Sequence, residues 1–151
     1  MEGRKPLLNQ KKKLVEIFTR QYHFSKKTID AFKKIRREDF VIDELKYRAY
    51  DDEALRIVAG QTISQPSTVC YMLDLLDLKP GQKVLEIGAG SGYNAALIAS
   101  IVGSKGRVYS IEFLDEVHRF AKKNIANAGI KNVEIIKRDG SQGYKKEDPY
   151  D

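Results

Sequence analysis

Apolar positions fall into two regimes along the chain. Up to about residue 76 they recur at helical spacing, and from residue 83 onward short apolar runs alternate with helical stretches. Leu7, Leu8, Leu14, Val15, Ile17 and Phe18 mark one face of a helix over residues 7–20. Ser25 is a candidate N-cap for a second helix with Ile29, Phe32 and Ile35 on one side. Residues 36–60 are mixed and predict irregular structure. Pro66 fits the first turn of a third helix that runs to about Leu76, with Val69, Met72, Leu73 and Leu76 toward the core. After a turn at 79–82, the chain alternates strand 83–87, helix 93–102, strand 107–111, helix 115–128 and strand 133–137. Gly129 suits the left-handed position that ends a helix. Strands alternating with helices of about ten residues or more predict an α/β fold with a parallel, Rossmann-like sheet.

The join between the first such strand and its helix is the most informative segment. Val84-Leu85-Glu86-Ile87-Gly88-Ala89-Gly90-Ser91-Gly92-Tyr93 runs from an apolar strand through an acid into a Gly-x-Gly-x-Gly turn. A dinucleotide fingerprint needs a third small residue where Tyr93 stands, so that helix and strand can pack closely. A pyrophosphate also favours a helix N-terminus free of anions, and Glu86 lies on the strand that leads into this one. A sulfonium cation with an amino-acid tail tolerates that carboxylate better. The segment therefore predicts an S-adenosylmethionine site, with Gly88, Gly90, Ser91 and Gly92 of the turn as cofactor contacts.

Three further places fall in register with it. Glu112 ends the second strand 24 positions after Gly88, where an acid can accept from both ribose hydroxyls. Nicotinamide and S-adenosylmethionine proteins both use such an acid, so Glu112 points to adenosine without choosing between them. Asp139 and Gly140 follow the third strand, where a carboxylate can accept from an adenine amino group and a glycine lets backbone approach the ring; the bland alternative is a plain Asp-Gly turn. The loop Gly60-Gln61-Thr62-Ile63-Ser64-Gln65-Pro66 places the hydroxyls of Thr62 and Ser64 on alternate positions, which would point the same way in an extended chain. Its bland alternative is that Ser64 or Gln65 only caps the next helix. His23 and His118 stand apart from any Cys, His or acid at metal-ligand spacing and read as structural or surface residues, with no metal site.

Composition narrows the setting. A chain of 151 residues with 42% hydrophobic and 32% charged residues reads as one globular domain by length. The net charge of +6 is read as a Lys-rich solvated surface, with no nucleic-acid partner. The start is polar and Lys-rich without a signal-like apolar run, no stretch is long and apolar enough to span a membrane, and Cys70 is alone. The expected location is cytoplasmic.

Further segments stand in order along the chain: Arg37-Glu38-Asp39-Phe40, Tyr50-Asp51-Asp52, the loop 60–66, the glycine turn with Asn94-Ala95-Ala96, Arg138-Asp139-Gly140-Ser141-Gln142-Gly143-Tyr144, and Pro149-Tyr150-Asp151. Together they resemble the protein-L-isoaspartate O-methyltransferase family of protein-repair enzymes. The loop 60–66 is the most specific, because general S-adenosylmethionine enzymes lack it. The resemblance implies a class I S-adenosylmethionine-dependent methyltransferase fold, of which this chain holds the first half of the sheet after an N-terminal helical segment. It implies a substrate-side segment at 1–65 and an incomplete cofactor-binding domain at 66–151. Ser64 is similar to the family's active-site serine. Gln61, Thr62 and Ile63 resemble residues beside the transferred methyl, and Glu86, Glu112, Asp139 and Gly140 match cofactor contacts. The implied substrate is the α-carboxylate of L-isoaspartyl residues in damaged proteins. Ser67 stands where many members carry His.

Two other readings stay open at this point: another S-adenosylmethionine enzyme, such as a tRNA adenine methyltransferase, and a truncated cofactor-binding module. Family chains continue past Asp151, so a fragment is expected here, with the strand at residues 84–87 exposed as an apolar edge prone to self-association.

Overall fold

Ser25 and Asp74 tie the helical part together. A computed structural model describes residues 4–151; Met1, Glu2 and Gly3 of the polar start lie outside the described residues. Helix α1 spans Arg4–Arg20 and α2 Lys26–Lys34, with Ser25 capping α2 as its sequence suggests. Helix α3, Pro66–Leu76, carries Asp74, which accepts from the Ser25 amide at 2.8 Å, the Ser25 hydroxyl at 2.6 Å and the Thr28 hydroxyl at 2.5 Å. These bonds fix the rotation of α3 about its axis. Val69, Cys70 and Leu73 turn inward, whereas Met72 and Leu76, expected in the core, stay 42% and 57% exposed. The buried stripe is wound about one position from the expected one.

Helix α1 departs in a similar way. Leu14 and Phe18 are buried as expected, but Leu8 and Ile17 remain exposed, and Lys11 takes an inner position. Its ammonium donates to the carbonyls of Lys33 at 2.8 Å and Ile35 at 2.9 Å. The last carbonyls of a helix have no intrahelical partner, and a cation there also meets the negative end of the helix dipole. Burial lowers the pKa of Lys11, opposed by the nearby Glu38 carboxylate.

Residues 36–60 are not irregular throughout. Short 3-10 turns at Arg37–Asp39 and Asp43–Arg48 lead to strand β1, Leu55–Arg56, which pairs antiparallel with β2, Thr62–Ile63, through a turn at Val58–Gly60. Two-residue strands are too short to leave a periodic pattern, and the turn relies on positive φ at Ala59 and Gly60.

From Lys83 onward the alternation is as predicted. Strand β3 (Lys83–Ile87), helix α4 (Tyr93–Val102), strand β4 (Arg107–Glu112), helix α5 (Asp115–Asn127) and strand β5 (Val133–Lys137) form a parallel sheet of order β3-β4-β5. Ala128 caps α5, and Gly129 follows at φ +68°. One hydrophobic cluster runs from Leu14 to Ile135 and includes Phe32, Phe40, Leu73, Tyr93, Leu97 and Val108. The outer edge of β3 has no strand partner among the described residues, though Asp151 meets its first residue. The Asp151 amide donates to the Lys83 carbonyl at 3.0 Å, and its carboxylate accepts from the Lys83 amide at 2.7 Å.

Candidate functional site

The carboxyl end of β3 opens into a cleft of about 320 Å³ that joins the glycine turn to the loop before α3. Thr62, Ile63 and Ser64 line one side, and Glu86, Ile87, Gly88, Gly90, Ser91 and Asn94 the other. Gly88, Gly90 and Gly92 adopt φ of +90°, +54° and +85°, which L side chains rarely reach. The amides of Gly88 and Ala89 donate to the Ile111 carbonyl at 2.8 and 3.0 Å and hook the turn onto β4. A side chain at Gly92 would press on Ile125 and the Ala121 carbonyl, so its bareness lets the start of α4 sit against α5. Ser91 is buried; its hydroxyl accepts from the Tyr93 amide at 3.3 Å.

The cleft is lined by one acid and no lysine or arginine. Glu86 accepts from the Asn94 side-chain amide at 2.6 Å and from the Ser110 hydroxyl. Burial pushes its pKa up to about 7, against the pull of those two hydrogen bonds and helped by the Glu112 carboxylate. Asn94 keeps its side-chain oxygen buried without a partner. A cleft with a carboxylate and an unused buried acceptor suits a cation that brings hydrogen-bond donors, and it does not suit a pyrophosphate.

The other expected contacts take distinct places. Glu112 does not line the cleft; it sits behind the turn and is nearly buried. Its carboxylate oxygens accept from the amides of Gly90 at 3.1 Å and Leu114 at 2.9 Å. Asp139 is exposed and accepts from the Ser141 amide at 2.9 Å, which, with the Ser141 side chain, holds its carboxyl below the usual range. This is the geometry of the bland Asp-Gly turn. Gly140 lies against Ile87, where a Cβ would overlap the Ile87 Cγ2, so the turn after β5 meets a residue of the cleft wall.

Ser64 is exposed, as is Thr62, while Ile63 between them is buried, so the alternation expected of an extended chain is present. Gln65 occupies the cap position of α3 without a side-chain bond to it. The amide of Ser67 instead donates to Asp52 at 2.8 Å. Asp52 is thus the side-chain cap, supplied from outside the helix. Arg37, wholly buried, donates from Nη2 to the carbonyls of Glu53 and Ser64, each at 3.0 Å, and from Nη1 to Ala49 at 2.6 Å.

Sequence reasoning passed over Arg37, Asp52, Asn94 and Ser110 as site residues. Ser110 was within reach: aligning β3 with β4 sets it directly beside Glu86. His118 places Nε2 3.3 Å from the Ile135 carbonyl, and His23 is exposed.

Residues 9–151 match the family model described as protein-L-isoaspartate(D-aspartate) O-methyltransferase. The chain belongs to this family. Similar relatives include the protein-L-isoaspartate O-methyltransferases of Pyrococcus horikoshii, 49% identical over all of this chain and 68% of the relative, and Methanothrix thermoacetophila, 44% identical over 94% of this chain and 67% of the relative. A solved structure named protein-L-isoaspartate O-methyltransferase superposes with a TM-score of 0.85 at 37% identity, over 93% of this chain and 46% of that one. Another, described as a putative Plasmodium falciparum protein-L-isoaspartate O-methyltransferase in complex with S-adenosyl-L-homocysteine, gives a TM-score of 0.76 at 25% identity, over 89% of this chain and 66% of that one. The chain therefore spans about two thirds of the length of the curated relatives it matches, and less than half of the first solved structure. Family membership sets aside the tRNA adenine methyltransferase alternative and agrees with the partial Rossmann-like sheet. No described helix is long and apolar enough to cross a membrane.

Proposed function

We propose that the chain carries the cofactor half, and part of the substrate side, of an enzyme that methylates the α-carboxylate of L-isoaspartyl residues in damaged proteins. The observation that carries the reading is the shared cleft, in which the Ser64 loop faces a glycine turn backed by the Glu86 carboxylate. Family membership and the S-adenosylhomocysteine in the Plasmodium relative support the same cofactor class. S-adenosylmethionine, when bound, supplies an electrophilic methyl group on a sulfonium.

The residues then divide the work. Glu86, Gly88, Gly90, Ser91 and Gly92 hold the methionine part, and Glu86 with the free Asn94 oxygen accepts from its ammonium. Gln61, Thr62 and Ile63 flank the methyl position. Glu112 serves the ribose, directly or through the turn it braces, and Asp139 and Gly140 the adenine. Ser64 donates a hydrogen bond that orients the substrate carboxylate. An isoaspartyl carboxylate with a pKa near ~4 is already ionised at neutral pH, so the reaction needs no general base. Alignment of oxygen, methyl carbon and sulfur is what the protein must supply, and such positioning is worth on the order of 7–11 kcal/mol.

The substrate side, residues 1–65, and a cytoplasmic setting belong to the same reading; the single cysteine, Cys70, leaves no internal disulfide to argue otherwise. So does self-association through the outer edge of β3, which sedimentation over a range of concentrations tests; a monomer at every concentration contradicts it. The function itself is tested by methyl incorporation into an isoaspartyl peptide and its aspartyl counterpart. Incorporation into the isoaspartyl peptide alone supports the reading. Equal incorporation, or transfer only to nucleic acid, overturns it.

A further inference from the structure

We infer that Arg37 is the positioning residue of the candidate active site, a guanidinium clamp that holds the Ser64 backbone and so aims its hydroxyl. The inference rests on the role proposed for Ser64 and deepens it. Ser64 sits in the two-residue link between β2 and α3, with its side chain exposed. Its carbonyl lies just outside both elements, and Arg37 Nη2 donates to it at 3.0 Å. Three residues on, the Ser67 amide is held by Asp52. The link is thus pinned on both flanks by side chains from residues 37–52.

A packing role does not account for Arg37. No part of it is exposed, and no carboxylate among the described residues reaches ion-pair distance, although the charges of Asp51 and Asp52 favour the cation from farther off. Its Nε is buried without a partner. Burying an unpaired charge is costly, and an apolar side chain of similar volume would fill the space at lower cost. What the guanidinium adds is a rigid planar fork that reaches three carbonyls at once, those of Ala49, Glu53 and Ser64. Lysine carries the charge without the fork. A clamp built on geometry should therefore be sensitive to that exchange.

The test compares the wild-type chain with Arg37→Lys in three measurements. Amide hydrogen exchange at residues 61–67 should rise at least tenfold, with α4 unchanged. The kcat for an isoaspartyl peptide should fall at least tenfold while S-adenosylhomocysteine affinity stays within threefold. In a Ser64→Ala background the same change should add no further loss of kcat, because Arg37 acts through Ser64. Unchanged kcat, exchange that is unchanged or raised throughout the chain, or cofactor affinity lost in parallel overturns the inference. If Arg37→Lys does not fold, Arg37→Gln is judged by the same criteria. Absence of methyl transfer in the wild type would count against the proposed reaction alone, and hydrogen exchange then decides the role of Arg37.

Discussion

Glu112 and Gly90 are joined by a 3.1 Å hydrogen bond from the Gly90 amide to the Glu112 carboxylate. The acid at the end of β4 is therefore part of the glycine turn, and its other oxygen takes the Leu114 amide. Glu112→Ala should release both amides, each costing about 1–3 kcal/mol if left unsatisfied. We expect a lower melting temperature together with at least a tenfold loss of S-adenosylhomocysteine affinity. Lower stability with unchanged affinity would assign Glu112 to the turn alone.

Glu86 should make cofactor binding depend on pH. Burial raises its pKa from about 4.5 in the unfolded chain to about 7 in the fold. Between those values the folded state holds the extra proton, so its contribution to stability is fully present below about 4.5 and is lost as pH rises through 7. The ammonium of bound S-adenosylhomocysteine prefers the ionised carboxylate, so affinity should rise from pH 5.5 to 8, with proton release on binding in the lower part of that range. Glu86→Gln should flatten the profile. Calorimetry in buffers of different ionisation heat measures both effects, and a flat wild-type profile would exclude a titrating Glu86.

Ser64 and Asp52 should separate chemistry from stability. The Ser67 amide is capped by Asp52, so Asp52→Ala should cost about 0.5–2 kcal/mol of stability. Ser64→Ala should leave the melting temperature within a degree or two and lower kcat for an isoaspartyl peptide, with cofactor affinity little changed. Thermal melts and turnover on the two variants check this, and a Ser64→Ala protein with normal kcat removes Ser64 from the reaction.

Gly140 should tolerate no side chain while Ile87 keeps its branched methyl. An added Cβ meets the Ile87 Cγ2 more closely than real side chains allow. Gly140→Ala should cost about 1–3 kcal/mol by overpacking. Combining it with Ile87→Leu, which moves the branch from Cβ to Cγ and so removes the Cγ2 methyl, should recover part of that loss in a denaturant titration. Independent, additive effects would mean that the two residues do not meet.

Legibility in the sequence followed the length of the periodic runs. The β-α-β-α-β order could be read because each strand has at least five residues and each crossover helix ten or more, and Ser25, Pro66 and Gly129 mark helix ends by local signals. The hairpin of β1 and β2 could not, because two residues set no period. The rotation of α3 was also hidden, since it depends on Asp74 meeting Ser25 across 49 positions. The same applies to the site. Its glycine turn and Ser64 loop are contiguous motifs, whereas Arg37, Asp52 and Ser110 act on residues distant in sequence. Lys11 looked like one more surface charge, and only the end of α2 packed beside it reveals its use.

The occupant of the cleft is the claim on which the others stand. S-adenosylhomocysteine and NAD titrated separately into the chain in a calorimeter test it most directly. The account requires saturable binding of S-adenosylhomocysteine and no heat from NAD. Binding of NAD without a response to S-adenosylhomocysteine would contradict it.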